Sequence, residues 1–164
     1  MQRIVTHLWF DSQAEEAANF YVSIFDSSRI VKITRYGKEG YEIHGKPEGS
    51  AMTVEFELNG TQFIALNGGS RFEFCEAVSF IIYCGTQNEI DYYWKALSKG
   101  GDQDAQQCGW LKDKYGVSWQ VIPSFLTKML DDPDREKSHR VMKALLSMQK
   151  IIVRDLEKAY KNMY

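Results

Sequence analysis

The feature that most constrains the fold is a weak internal repetition, in which similar segments occur twice in the same order. The segment EAANFY at 16–21 is matched by EIDYYW at 89–94, and GTQFIAL at 60–66 is matched by GVSWQVI at 116–122. A repeated pattern constrains a fold more than local propensity does, because each copy must form the same supersecondary unit. The sequence therefore predicts two β-α-β-β-β units, each built on a four-stranded sheet.

In the first copy, runs of β-branched and aromatic residues flank a single helical pattern. We predict strands over 3–10 and 29–36, with a helix over 14–25 between them because its apolar positions recur every three or four residues. Residues 51–60 and 61–69 are predicted to form a hairpin, since an Asn-Gly pair separates two alternating apolar segments. The first copy therefore supplies every element of the predicted unit.

The second copy follows the same order, with one element that is hard to see. Residues 76–84 predict a strand, and residues 87–101 predict a helix that ends at glycines. Residues 108–113 and 117–123 predict a hairpin around a Lys-Tyr-Gly turn. The strand that should follow the helix is short or leaves no signal in the sequence.

The character of the chain changes after the second copy, where helical periodicity replaces strand patterns. We therefore predict three segments: a first βαβββ module at 1–69, a second at 70–123 and a helical C-terminal extension at 124–164. An apolar stripe runs along the extension: Val141, Leu145, Met148, Ile152 and Leu156. Such a stripe must be covered, either by the rest of this chain or by a second copy of it.

Charge and hydropathy argue against several classes of partner. The formal net charge is -2 and no block of Lys or Arg is present, which argues against binding to nucleic acid. No apolar run approaches the ~20 residues of a membrane span, and the N-terminus shows no signal-peptide pattern. The cysteines are odd in number and widely spaced, which fits reduced thiols. These features predict a cytoplasmic protein without a membrane or nucleic-acid partner.

Four stretches together resemble the PhnB-like branch of the vicinal oxygen chelate superfamily, which is often labelled 3-demethylubiquinone methyltransferase. They are HLWFDSQAEEAANFYVSIF, FELNGTQFIALNGG, DYYWKALSKGG and CGWLKDKYGVSWQVIP. The superfamily also holds glyoxalase I, fosfomycin- and bleomycin-resistance proteins and extradiol dioxygenases. The resemblance covers roughly residues 3 to 125, and the tail is also similar to the end of that branch. It implies an α+β fold in which two βαβββ modules form curled mixed sheets around a cavity, usually in a homodimer.

The resemblance also implies where a divalent metal would sit, on the cavity side of the first and last strand of each module. Counting along this chain places the four ligand positions at His7, Ile64, Ser79 and Gln120, with Thr6 as the alternative to His7. Divalent sites in proteins normally use three or more good ligands, and only His7 is one. We therefore expect no metal and no cofactor, and we interpret Gln120 as the polar remnant of a ligand set.

Strand alternation separates the residues that face the cavity from those that face the helices. The residues predicted to bind a ligand are His7, Trp9, Gln62, Ser79, Tyr83, Trp110 and Gln120. His7 is also the candidate acid or base, and the alternative, which the residue type favours, is a buried histidine with a hydrogen-bond partner. Trp119 points the other way and is predicted to be a core residue.

Three classes of function remain open at this point. The first is a small-molecule binder with a metal-free cavity, and the second is an enzyme acting on a small oxygen-rich metabolite with or without a metal. The third is a dimeric scaffold, in which the homodimer and its helical tail are the functional object. No Gly-rich turn joins a strand to a helix as a Rossmann-type cofactor site requires, so the methyltransferase label finds no support in the residues.

Overall fold

Two four-stranded sheets organise the chain, one in each of its two compact units. The structure, a computed structural model, describes residues 2–163, and the chain divides between residues 74 and 75. In each sheet the first strand runs parallel to the last, and the other neighbours are antiparallel. The predicted α+β fold with two mixed sheets and C-terminal helices is confirmed. The finer division at 1–69, 70–123 and 124–164 stays a prediction.

The first unit follows the predicted order of elements, with one additional short helix. Its elements are β1 (Thr6–Phe10), α1 (Ala14–Ile24), β2 (Arg29–Arg35), α2 (Tyr41–His44), β3 (Ala51–Leu58) and β4 (Thr61–Asn67). The strands lie in the order β1-β4-β3-β2. Helix α1 packs against β3 and β4, because its apolar stripe meets the alternate residues Val54 and Phe56, which are fully buried.

The second unit repeats this plan and carries the C-terminal helices. Its elements are β5 (Phe80–Cys84), α3 (Gln87–Ser98), β6 (Asp102–Gln107), β7 (Trp110–Lys112), β8 (Ser118–Pro123), α4 (Leu126–Leu130), α5 (Arg135–Leu146) and α6 (Val153–Lys161). The strands lie in the order β5-β8-β7-β6. Helix α3 packs against β5, β7 and β8, and the strand residues Leu111, Trp119 and Val121 are buried. Trp119 is therefore a core residue, as predicted.

Several predicted boundaries were wrong, for identifiable reasons. β1 begins at Thr6 rather than at residue 3, and β5 begins at Phe80 rather than at residue 76, because their pairing with β4 and β8 starts only there. β6, which left no signal, has the sequence DQDAQQ and lies at the edge of its sheet, where exposure removes the apolar alternation. β7 starts at Trp110 because Cys108 and Gly109 form a two-residue turn with φ of 54° and 86°.

The C-terminal extension packs on the second unit of its own chain rather than leaving its stripe for a second copy. Its core contains Ile122 of β8 together with Leu126, Val141, Leu145, Ile151 and Leu156. The helical extension is interrupted between α5 and α6, so Ile151 rather than Ile152 of the predicted stripe occupies the core. Across residues 2–163, none of the helices has the length and apolar character needed to cross a bilayer.

Candidate functional site

Each sheet has one face covered by its long helix, and the opposite face is called here its front face. Residues that are paired across neighbouring strands point to the same side, so the pairing defines this face. On the first sheet it carries His7, Trp9, Thr53, Glu55, Glu57, Gln62, Ile64 and Leu66. On the second it carries Ile81, Tyr83, Trp110, Lys112, Ser118, Gln120 and Ile122. Six of the seven predicted ligand-binding residues lie on these two faces, and Ser79 precedes β5.

Trp9 is held rigidly on the front face of the first sheet. Its indole Nε1 donates a hydrogen bond to the Gly69 carbonyl over 2.7 Å, and its ring meets the Phe72 ring edge-on at 5.0 Å between centroids. A Cβ at Gly68 would lie 2.3 Å from a Trp9 ring carbon, so only glycine permits this approach. Because its N–H is already bonded, Trp9 offers a ligand an apolar ring wall and no donor.

The polar groups of the first front face surround Ile64. His7 is exposed and pairs directly with Ile64 across β1 and β4, and Glu55 pairs with Ile64 from the other side. Gln62 lies diagonal to His7 and opposite Glu57. The Glu57 carboxylate forms a salt bridge with Arg29 at 3.0 Å. The pairing places both glutamates, which lie on β3, on the same face of the sheet as His7.

Gln62 carries a buried acceptor without a partner. Its side-chain Oε1 is shielded from solvent and accepts no hydrogen bond from the residues that the structure describes. Leaving such a buried polar atom unpaired costs about 1–3 kcal/mol. Gln62 was predicted as a ligand-binding residue from alternation alone, and the structure adds that its carbonyl lacks a donor.

On the second sheet, Gln120 and Ser79 form a direct pair. The Gln120 Nε2 donates to the Ser79 Oγ over 2.9 Å, and Gln120 lies opposite Trp110 on β7. The strand partner of Gln120 in β5 is Ile81, as Ile64 is the partner of His7 in the first sheet. The position equivalent to His7 is therefore Ile81 and not Ser79, which reaches Gln120 from just before the strand.

The Ser118 hydroxyl is a second buried polar group without a hydrogen-bond partner among the described residues. The residue is 2% exposed, and its Oγ makes no hydrogen bond within residues 2–163. Ser118 follows Gly116 by two residues, as Gln62 follows Gly60, and the two strand registers agree with this equivalence. The two unpaired buried polar atoms therefore occupy the same position of the internal repeat. Alternation alone could indicate their face, but not their lack of partners.

Tyr83 and Trp110 lie at the margins of the second front face. Tyr83 is 62% exposed and pairs with Ile122, whose side chain is packed under the C-terminal helices. Trp110 is partly buried and lines a groove of about 510 Å³ beside the β6–β7 hairpin. Of the predicted residues in this unit, the structure brings Ser79, Gln120 and Trp110 together and leaves Tyr83 apart from them.

The donor atoms do not fit the divalent metal that the superfamily resemblance implies. The paired positions that should supply ligands hold His7 with Ile64 in one sheet and Ile81 with Gln120 in the other, so two of the four are hydrocarbon. Within the described part of the chain, no group of three or more His, Cys, Asp or Glu side chains is placed to hold a metal ion. Divalent sites normally need at least three such donors.

Two cysteines of the second unit, Cys84 and Cys108, are poor nucleophiles. Burial raises the pKa of the Cys84 thiol to about 11, and burial likewise raises the pKa of Cys108 above its usual value. Only the thiolate is reactive, so both thiols are inert near neutral pH. Cys108 packs against the core of the second unit, and its environment favours a packing role over a catalytic one.

Comparison with known proteins places the chain in a family. Residues 2–122 match the sequence profile of the family described as 3-demethylubiquinone-9 3-methyltransferase. The chain belongs to this family. A PhnB protein from Bacillus cereus is 39% identical over 74% of this chain and 99% of its own, with a TM-score of 0.65. A protein from Pseudomonas aeruginosa shares the fold at 18% identity, with a TM-score of 0.56 over 74% of this chain and 96% of its own.

These matches confirm the PhnB-like resemblance over the two repeats. No curated protein matches the chain. The family match ends at residue 122, so the similarity inferred for the C-terminal extension has no support from it. In this PhnB-like chain both strand-to-helix turns are short and polar: Asp11-Ser12-Gln13 precedes α1, and Gly85-Thr86 precedes α3. Neither resembles the Gly-rich turn of a dinucleotide-type cofactor site.

Proposed function

We propose that this PhnB-like protein binds a small molecule on the front face of a sheet without a metal, and that the ligand presents N–H or O–H groups. The observation that carries the proposal is the pair of buried, unpaired polar atoms, Gln62 Oε1 and Ser118 Oγ. They recur at one position of the internal repeat, which is unexpected for two independent packing defects.

Polar side chains at these two positions make the apo protein less stable than apolar side chains would. A buried polar atom without a partner costs about 1–3 kcal/mol, whereas an apolar side chain of similar size would avoid that cost. A ligand that donates a hydrogen bond to Gln62 recovers the loss on binding. Pockets for small molecules combine apolar walls with a few placed polar groups. The first front face offers the Trp9 ring together with Gln62, and the second, taken by itself, offers Trp110 opposite Gln120.

The proposal is tested by a thermal-shift screen of small molecules against the wild-type protein and two variants. Gln62→Leu and Ser118→Ala each remove an unpaired atom, so we expect each apo variant to be about 1 kcal/mol more stable than the wild type. The same variants should lose most of the ligand-induced shift. Gln103→Leu, which changes an exposed amide on β6, is the matched control and should keep it.

Two results would overturn this proposal. The first is a set of ligands whose shifts are the same in the wild type, Gln62→Leu and Ser118→Ala. The second is a loss of stability in both apo variants, which would show that ordered water already satisfies these atoms.

An enzymatic role has one supporting observation. His7 is exposed on the first front face, diagonal to Gln62, and its imidazole forms no hydrogen bond or ion pair with the residues that the structure describes. An accessible imidazole can transfer protons near neutral pH. Any turnover found for a ligand from the screen should fall at least tenfold in His7→Gln, and unchanged turnover would remove His7 as acid or base.

We also infer a homodimer from the edge strand β5. Ile81 is 45% exposed and Tyr83 is 62% exposed on this strand, and Val78 just before it is 67% exposed. Exposed apolar side chains on a sheet edge favour association. Sedimentation of the wild type should show a dimer, and Ile81→Lys should shift it toward the monomer. A wild type that stays monomeric at high concentration would contradict this inference.

A further inference from the structure

The groove beside the β6–β7 hairpin is lined by both apolar and acidic side chains. Its volume is about 510 Å³, and its lining includes Glu76, Asp104, Gln107, Cys108, Trp110 and Leu146. Trp110 is partly buried and Leu146 is 59% exposed, so an indole ring and an aliphatic side chain border the same space. A groove of this size accommodates a small organic molecule.

The lining of this groove is negatively charged. It contains two carboxylates and no Lys or Arg. Glu76 forms an ion pair with Lys112, and the hydrogen bond from Lys112 lowers the pKa of Glu76. The negative charge of this carboxylate is therefore compensated by the Lys112 ammonium group. Asp104 forms no ion pair with any described residue, and therefore its charge remains available to a ligand.

The C-terminal extension builds one side of the groove and holds the hairpin in place. The carbonyls of Met148 and Gln149 each accept a 2.8 Å hydrogen bond, from the backbone N–H of Cys108 and of Gly109. These bonds anchor the left-handed turn that precedes Trp110. Leu146, the last residue of α5, supplies the extension's own side chain to the groove.

The extension also forms hydrogen bonds and an ion pair with α3. The side chain of Gln87 donates to the Ile151 carbonyl over 3.1 Å and accepts from the Val153 N–H over 2.7 Å. Lys150, between α5 and α6, forms an ion pair with Asp91 of α3 at 2.5 Å. Because the family match ends at residue 122, this wall lies outside the part of the chain that matches the family profile.

We propose that this groove binds an organic cation with an apolar body, between the Trp110 ring and the Asp104 carboxylate, and that the C-terminal extension forms one of its walls. The inference rests on the proposed small-molecule binding and names the ligand class and a further part of the site. A cation over an indole ring gains about 0.5–1 kcal/mol at exposed sites, and an unpaired carboxylate favours positive charge.

The test uses two probes of the same shape that differ in charge. Choline carries a quaternary ammonium group, and 3,3-dimethylbutan-1-ol replaces its nitrogen by carbon. The protein is labelled with 5-fluorotryptophan, and Trp110→Phe assigns the Trp110 signal in the fluorine NMR spectrum. We expect choline to shift that signal with an affinity roughly fivefold or more above that of the neutral analogue.

Two surface variants test the individual walls. Asp104→Asn should weaken choline binding roughly threefold to fivefold, while Asp131→Asn, an exposed acid outside the groove, should not change it. Leu146→Lys places a positive charge on the wall that the extension supplies. It should abolish choline binding without altering the other three tryptophan signals.

Each outcome separates this inference from the proposed function. If both probes shift Trp110 equally, the cation preference is wrong; if Leu146→Lys leaves choline binding unchanged, the extension is not a wall. If no probe shifts Trp110 while screened ligands depend on Gln62, the groove is overturned and the proposed function stands. If choline shifts Trp110 while screened ligands ignore both Gln62 and Ser118, the groove stands and the proposed function fails.

Discussion

The long helix of each unit begins after its first strand, but different residues hold its first turn. In the second unit, Thr86 Oγ1 accepts a hydrogen bond from the Glu89 N–H over 3.2 Å. The Glu89 carboxylate accepts one from the Thr86 N–H over 3.0 Å, and the two bonds form a capping box. In the first unit, Gln13 provides no side-chain cap. Instead the Ala14 N–H donates to the Oδ1 of Asn67, at the end of β4, over 2.8 Å.

This difference shows that one structural requirement has a local and a long-range solution. The first N–H groups of a helix have no partner within the helix, so a neighbouring acceptor must satisfy them. A capping box connects residues three apart and stabilises α3 alone. Asn67 is 6% exposed and also donates to the Ala51 carbonyl over 3.0 Å, so it joins α1, β3 and β4. The first unit therefore depends on one buried amide for three elements.

The largest effect is expected for Asn67→Ala. It leaves the Ala14 N–H and the Ala51 carbonyl unpaired inside the protein, so we expect a loss of about 2–4 kcal/mol in the free energy of unfolding. Denaturant unfolding measures the loss, and Asn19→Ala, an exposed asparagine bonded only to its own helix, is the control. A loss below about 1 kcal/mol would show that water replaces the amide and that the long-range cap is dispensable.

A second contrast concerns two tryptophans on opposite sides of their sheets. Trp119 is 4% exposed and donates from Nε1 to the Asp113 Oδ2 over 2.8 Å, whereas Trp9 donates to a backbone carbonyl on a front face. Hydrogen bonds to buried charged groups are worth more than those to neutral ones. Trp119→Phe should therefore cost about 1.5–3 kcal/mol and Trp9→Phe about 0.5–1.5 kcal/mol. Equal losses in denaturant unfolding would remove the distinction between core and front face.

The local cap sets a smaller effect. Thr86→Ala removes one side of the capping box and should cost about 1 kcal/mol, as N-cap substitutions usually do. Thr86→Ser keeps the hydroxyl and should recover most of that loss. The comparison between the units would be sharpened if Thr86→Ala altered amide exchange only in α3, while Asn67→Ala altered it in α1 and both strands.

The smallest effect on stability is expected for the ion pair between Asp91 of α3 and Lys150 of the C-terminal extension. The first unit has no such extension. Hydrogen bonds from Lys150 and Gln87 lower the pKa of Asp91 in the folded protein. A carboxyl group with a lowered folded pKa adds stability above its unfolded pKa, near 3.9, and loses it as the pH falls through the folded value. Because the pair is largely exposed, Asp91→Asn should cost less than about 1 kcal/mol at pH 7.

The pH dependence provides the check on this last prediction. The stability difference between the wild type and Asp91→Asn should shrink as the pH is lowered from about 5 toward 2. Asp26→Asn, an exposed acid of the first unit, should show no such convergence. A difference that grows on acidification would contradict the assigned sign.

Much of the fold could be predicted because the relevant signals are local. Helix α1 was predicted at 14–25 and lies at Ala14–Ile24, and the alternating segment predicted as a strand at 51–60 forms β3, in which Val54, Phe56 and Leu58 are buried. The helix and the alternating strand both follow from side-chain periodicity, which is set by helix and strand geometry. β6 escaped prediction because an edge strand with the sequence DQDAQQ carries no apolar period, and its pairing with β7 alone defines it.

The candidate site divides in the same way. Alternation placed His7, Trp9 and Gln62 on one face, which required only the period of a strand. That Gln120 bonds to Ser79, that Ile81 rather than Ser79 is equivalent to His7, and that Glu55 lies on the face of His7 all depend on register between strands far apart in the chain. Pairing offset is set by the packing of whole sheets, so no single segment encodes it.

The amino-acid sequence by itself determined the repeated strand and helix order, the PhnB-like family and the weakness of the metal ligand set, because each follows from residue type and spacing along the chain. Only the tertiary structure decided that Asn67 caps α1, that the extension packs beside the β6–β7 hairpin, and that Gln62 Oε1 and Ser118 Oγ are buried without partners. Whether a polar atom has a partner depends on every neighbour in space, most of which are distant in the chain.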